Sequence, residues 1–150
     1  NISIVTPYFV PNVELLEALK LAARKGVKVD IILPKNSDIH LFPLVNAISC
    51  KSLIGKNLNI YEFGPKILHA KITMIDSWFM VGSSNMNMRT IKHDLELDIL
   101  PTHENTKQEI RNYIKELKND SEFLDYEALL DRFSFKKYLL PVLKQITYWL

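Results

Sequence analysis

The densest run of reactive side chains is His69-Ala70-Lys71-Ile72-Thr73-Met74-Ile75-Asp76, followed by Gly82-Ser83-Ser84-Asn85 and then Glu96. On a strand, residues two apart project from the same face, so His69 and Lys71 are expected to share one pocket. A cation beside a histidine favours the neutral ring, a competent nucleophile or base, and supplies a point charge for an anion such as phosphate. The Gly82-Ser83-Ser84-Asn85 segment leaves a strand, and its N–H groups, hydroxyls and amide can converge on the same oxyanion. Glu96 could accept a hydrogen bond from the far ring nitrogen of His69 and fix its tautomer. The plain structural alternative is a satisfied strand histidine beside an edge lysine that blocks aggregation. That alternative leaves unexplained why a Gly-Ser-Ser-Asn turn follows at once.

Positioning these residues requires a framework. Ile2 to Thr6 reads as a buried strand and Asn12 to Lys25 as a helix, with Leu15, Leu16, Leu19, Ala22 and Ala23 on one face, Asn12 as N-cap and Gly26 as its left-handed stop. Val27 to Leu33 is the next strand, which makes a βαβ unit with a right-handed crossover. A second helix is expected from Ser37 or Asp38 to Ile54, with Pro43 in its first turn, and a third strand from Asn57 to Phe63. Ile67 to Ile75 and Trp78 to Val81 read as a hairpin turning at Asp76-Ser77. Leu95 to Leu100 reads as a last strand with one buried and one polar face. Helices should follow: an amphipathic one capped near Thr102, one over Glu122 to Phe133, and one over Lys136 to Leu150 broken at Pro141. The class is α/β, a mixed β-sheet flanked by helices, with residues 1–100 holding the chemistry and residues 101–150 as C-terminal helices of the same domain.

The 150 residues, 47% hydrophobic and 24% charged, suit one globular domain. The lone Cys50 excludes an internal disulfide, no Cys/His ligand spacing points to a metal, and no apolar run reaches the roughly 18 residues of a membrane span. A formal charge of +2 is too small for holding nucleic acid by bulk charge. The chain opens on Asn1 and enters a strand directly, so it is expected to be a piece of something longer.

H-x-K-x-x-x-x-D followed by G-S-x-N resembles the signature of the phospholipase D superfamily, matched by His69, Lys71, Asp76, Gly82, Ser83 and Asn85. Thr6-Pro7-Tyr8-Phe9-Val10-Pro11, Ala23-Arg24-Lys25-Gly26-Val27 and Leu33-Pro34 resemble the start of the second catalytic half of bacterial cardiolipin synthases, and Asn87-Met88-Arg89-Thr90 is similar to the family's N-x-D-x-R-S. Three departures stand out, one being that the family's S-D-H reads Ser37-Asp38-Ile39-His40 here. Five residues, Ser77 to Val81, separate Asp76 from Gly82 where the family usually has six, and the family's aspartate in N-x-D-x-R-S is Asn87 here.

The resemblance implies a phospholipase D-like half and a two-step displacement at a phosphodiester, without metal or cofactor. One histidine attacks phosphorus to give a phosphohistidine, a second protonates the leaving alcohol, and water or an acceptor alcohol resolves the intermediate. His69 is expected to be the acid, oriented by Glu96, with Lys71, Ser83 and Asn85 on phosphate oxygens. Asp76 and Gly82 are expected to be structural, Asp76 pointing away from His69 by parity. The remaining histidines, His40, His93 and His103, do not repeat the motif. A second H-x-K half is therefore required, from the same polypeptide or from a second copy across a two-fold axis.

From Arg132 to Leu150 there are four basic residues and no acid, interleaved with aromatics, so the rest of the chain carries a net −2. Such a segment suits an interfacial position near anionic headgroups, and equally a terminal helix packed on the domain. The leading expectation is a cardiolipin synthase-like phosphatidyltransferase or phospholipase D acting on anionic phospholipid at a membrane surface, on the cytoplasmic side in a bacterium. The alternatives are a homodimeric nuclease of the same superfamily, disfavoured by the modest charge, and a degenerate half with a structural role.

Overall fold

The β-branched opening run forms strand β1 (Ile2–Val5), and Asn12 caps helix α1 (Val13–Arg24) by accepting from the Leu15 N–H at 2.9 Å. Gly26, at φ +90, makes the left-handed exit that a side chain would resist. The computed structural model of the protein describes residues 1–39, 42–53 and 55–124. Strand β2 is Phe9–Val10, β3 is Val29–Pro34, α2 is Phe42–Cys50 and β4 is Leu58–Phe63. Then come β5 (Ile72–Ile75), β6 (Trp78–Gly82), β7 (Met86–Asn87), α3 (Met88–Lys92), β8 (Asp98–Ile99), α4 (Glu104–Asn119) and β9 (Ser121–Phe123).

Seven strands form a mixed sheet in the order β8-β6-β5-β1-β3-β4-β9, with β1, β3 and β4 parallel. Alternation along the central strands feeds two cores. Ile4, Ile31 and Ile60 pack on one face with Leu19 and Ala23 of α1 and Ala47 and Cys50 of α2. Val5, Ile32, Met74 and Phe79 pack on the other with Ile114 and Leu117 of α4.

Three expectations need correction, and one strand pair is new. The second helix begins at Phe42 and ends at Cys50, rather than spanning Ser37 or Asp38 to Ile54, because Asp38 is drawn to Tyr8 instead of capping a helix. The helix expected over Glu122 to Phe133 does not start at Glu122, and residues 125–133 lie outside the described residues. Ser121–Phe123 adds to the outer edge of β4, Phe123 opposite Tyr61, and Lys35 Nζ holds Glu122 at 2.7 Å. The short parallel pair β2–β7 was not expected, its two strands being only two residues each. Finally, the Leu95 to Leu100 strand shrinks to Asp98–Ile99, and its leucines face solvent: Leu95 is 103% exposed, Leu97 74% and Ile99 62%. His40 and the basic, aromatic tail lie outside the described residues.

Candidate active site

His69 and Lys71 precede β5 rather than lying within it. The pairing nevertheless reaches back one residue, because the Lys71 carbonyl accepts from the Gly82 N–H at 3.2 Å. The two side chains share one side as their spacing predicts. Lys71 Nζ is 3.0 Å from His69 Nδ1 and donates to the His69 carbonyl at 2.9 Å. An ammonium has three donors and no acceptor, so against it Nδ1 accepts and a neutral ring carries its proton on Nε2. Burial pulls the Lys71 ammonium below the usual lysine range, and the charges of Glu96 and Asp38 work against that shift. The pair therefore sits among two carboxylates from distant parts of the chain.

One of those carboxylates escaped the sequence reading as a site residue. Tyr8, just beyond β1, presents its ring edge to His69, centroids 6.0 Å apart at 87°. Its hydroxyl lies 2.8 and 2.9 Å from the two oxygens of Asp38, which follows β3. That hydrogen bond holds Asp38 below the usual carboxylate range, with help from Ser37, the Ile39 N–H and the charge of His69, against the cost of burial. Burial and then Asp38 push the Tyr8 phenol up to about 12. The available signal was positional: both residues leave the carboxyl ends of parallel strands, where open α/β sheets gather their ligands.

The Gly82-Ser83-Ser84-Asn85 turn is tied to the segment that follows α3. A Cβ on Gly82 would lie 2.6 Å from Asp98 Cα and would also collide with the Asp98 carboxylate and the Leu97 carbonyl, so the motif's glycine is required by close approach. Ser83 Oγ accepts from the Leu97 N–H at 2.9 Å, and the Ser84 hydroxyl and N–H both meet Asp98. The Ser83 hydroxyl is thus engaged by backbone. Asn85 Oδ1 is buried with no hydrogen-bond partner among the described residues. Glu96 accepts from Thr90 Oγ1 at 3.4 Å, while Lys71 occupies the space at His69 Nδ1. The expected Glu96 bond to His69 is thus replaced by Lys71 on the ring, with Glu96 acting on that lysine through its charge.

Asp76 stands exposed in the two-residue turn of the β5–β6 hairpin, at φ 51, where Asp is among the side chains that tolerate a left-handed conformation. Ile75 pairs with Trp78, so the shorter spacing to Gly82 is absorbed in a tight hairpin. Asn87 caps α3 by accepting from the Thr90 N–H at 2.8 Å, a role that Asp and Asn share. His93 and His103 stand at the C-cap of α3 and the N-cap of α4. Beside His69 and Lys71 a cleft of about 380 Å³ runs to Ile110 and Tyr113 of α4.

Cys50 is fully buried, and burial followed by the charge of Glu62 pushes its thiol well up, which makes it a packing residue. No helix among the described residues is long and apolar enough to cross a membrane.

A mixed seven-stranded sheet carrying an H-x-K pair tied to a G-S-x-N turn defines a phospholipase D-like domain. Residues 1–118 match the family described as cardiolipin synthase, PLD-like domain, and the chain belongs to that family. It is 33% identical over 134 residues to the cardiolipin synthase of Geobacillus sp. (strain WCH70), covering 88% of this chain and 26% of that protein. With the cardiolipin synthase of Clostridium perfringens it shares 37% identity over 120 residues, 79% of this chain and 25% of the relative. The chain thus spans about a quarter of the length of these curated relatives. Among solved structures, Nuc from Salmonella typhimurium, a phospholipase D family member, has the same fold at a TM-score of 0.66 and 15% identity, covering 82% of this chain and 80% of that one. Phosphatidylserine synthase from Haemophilus influenzae Rd KW20 gives 0.66 at 16%, with 94% and 40% covered.

Proposed function

We propose that this chain is one catalytic half of a phosphatidyltransferase or phospholipase D that acts on anionic phospholipid at a membrane surface, and that a second H-x-K half completes its site. The observation that carries this reading is the contact of Lys71 Nζ with His69 Nδ1 at 3.0 Å, in a chain whose relatives are cardiolipin synthases. A phosphodiester oxyanion draws the Lys71 ammonium away from the ring, and Nδ1 becomes free to take a proton from solvent. The carboxylates of Glu96 and Asp38, whose charges act on Lys71, border the pair. A histidine of the second half attacks phosphorus, the bond to the leaving oxygen breaks, and His69 Nε2 gives its proton to that oxygen. Such general acid catalysis typically contributes about 10²–10⁴-fold. Water or an acceptor alcohol then attacks the phosphohistidine and returns a proton to His69. Asn85, whose Oδ1 has no partner among the described residues, is assigned to the same site.

The outward leucines support the pairing. Leu95 and Leu97 flank Glu96, so an apolar surface adjoins a residue whose charge reaches Lys71. A patch of this kind, continuous with an incomplete site, suits a second half.

The test offers phosphatidylglycerol vesicles and single-stranded DNA to the full two-half enzyme and to its His69→Ala variant. Lipid turnover abolished by the substitution is expected. Cleavage of DNA but not lipid would establish the nuclease alternative, and turnover indifferent to the substitution would dismiss the site.

A further inference from the structure

We propose that Asp38, anchored by Tyr8 beside His69, recognises a free hydroxyl on the alcohol portion of the substrate, so that the site prefers phosphodiesters of a polyol such as glycerol over those of a simple alkyl alcohol. This rests on the phosphodiester reading above and names the chemistry next to the reacting phosphate.

A carboxylate in this position needs a reason. Its charge acts on both His69 and Lys71, so it stands within electrostatic range of any phosphate they hold and repels it. Phosphate binding is thereby excluded as its task. An ionised carboxylate is an acceptor only, with about four lone-pair positions, and the neutral donor that a polyol supplies beside a phosphate is a hydroxyl.

The geometry leaves room for that donor. Asp38 Oδ1 is crowded: the Tyr8 hydroxyl lies at 2.8 Å, Ser37 Oγ at 3.0 Å and the Ile39 N–H at 3.1 Å. Among the described residues Oδ2 has the Tyr8 hydroxyl alone, at 2.9 Å, and the residue is exposed. Tyr8 is itself fixed on two sides, its ring 4.2 Å from that of Phe42 and edge-on to His69. The carboxylate is thus held at a set distance from the imidazole by a rigid spacer whose two χ angles are constrained by packing. A loop anchor alone would account for the bonds to Oδ1 and would not need Oδ2 open to solvent.

The experiment titrates the 150-residue chain with two water-soluble monoanionic phosphodiesters, glycerophosphomethanol, which carries free hydroxyls, and dimethyl phosphate, which has none, following the His69 ring and nearby amides by NMR. Wild type should bind the polyol ester about tenfold more tightly, the scale of one hydrogen bond to a charged group. In Asp38→Asn, which keeps the oxygen that Ser37 and Ile39 use, the ratio should fall toward unity. In Tyr8→Phe, which retains the ring against His69, it should fall part of the way. Equal affinities in wild type, or a ratio unchanged in Asp38→Asn, would overturn the hydroxyl assignment while leaving the phosphodiester site standing. Binding of neither ester would overturn the phosphodiester reading and this inference with it.

Discussion

Lys71 Nζ sits 3.0 Å from His69 Nδ1, and the same ammonium donates to the His69 carbonyl at 2.9 Å. The lysine is thereby bound to its own histidine at both the ring and the backbone. Because the ammonium can only donate, a neutral His69 should carry its proton on Nε2. Nitrogen-15 shifts of the ring should report that tautomer in the free chain at alkaline pH, and Lys71→Met should remove the bias. A ring protonated on Nδ1 in wild type would refute the assignment.

Burial holds the Lys71 ammonium below its ordinary range, so the folded chain binds this proton less strongly than the unfolded chain does. Stability linked to this group rises with pH through the window just below the usual lysine range. Lys71→Met should therefore leave thermal stability at neutral pH equal to or slightly above wild type while it removes phosphodiester binding. A clear loss of stability would show that the lysine is a structural residue.

The Tyr8 phenol, raised to about 12, keeps its proton in the folded state over a range where the unfolded chain has lost it. Stability linked to it is complete below about pH 10 and is lost as pH climbs toward 12. Phenolate absorbance in a pH titration should show Tyr8 ionising late, and Asp38→Asn should move it back part of the way, since burial, the larger cause, remains.

Gly82→Ala inserts a methyl group into the backbone of Leu97 and Asp98. Overpacking against backbone costs about 1–3 kcal/mol. Urea denaturation should register a loss in that range, and the shift of the Glu96 segment should weaken phosphodiester binding as well.

Asp30, 8% exposed, holds Lys118 and accepts from Asn59 at 2.7 Å. The hydrogen bonds from Lys118 to Asp30 and Tyr61 and the Asp30 charge raise the ammonium's pKa, although burial opposes them. Lys118→Met should cost about 1–3 kcal/mol by leaving a buried carboxylate short of a partner. Denaturant midpoints would measure it, and an unchanged midpoint would mean that Lys28, 3.8 Å away, takes over.

Leu97 is 74% exposed, so Leu97→Asp should leave the fold of the chain intact. In the two-half enzyme it should lower turnover by at least tenfold and loosen the association of the halves. Circular dichroism and analytical ultracentrifugation would separate the two effects, and full activity would remove this edge from the interface.

By itself the sequence determined the elements whose cause is local. The Asn12 cap, the Gly26 exit, the βαβ start and the Asp76-Ser77 turn follow from side-chain chemistry within a few residues. The His69–Lys71 pair was equally legible, because a spacing of two puts the two side chains together on any extended backbone. Only the tertiary structure decided what surrounds that pair. Tyr8 and Asp38, 30 residues apart, meet beside His69 because parallel β1 and β3 deliver their following loops to one end of the sheet, a coincidence that no local pattern records. The Leu95 to Leu100 alternation marked two faces but not which one is covered. Asp98 turns inward because Ser84 and the side-chain-free backbone of Gly82 receive it, and that leaves the leucines open. Periodicity encodes the difference between two faces of a segment, and the identity of the neighbour that covers each face is set by packing.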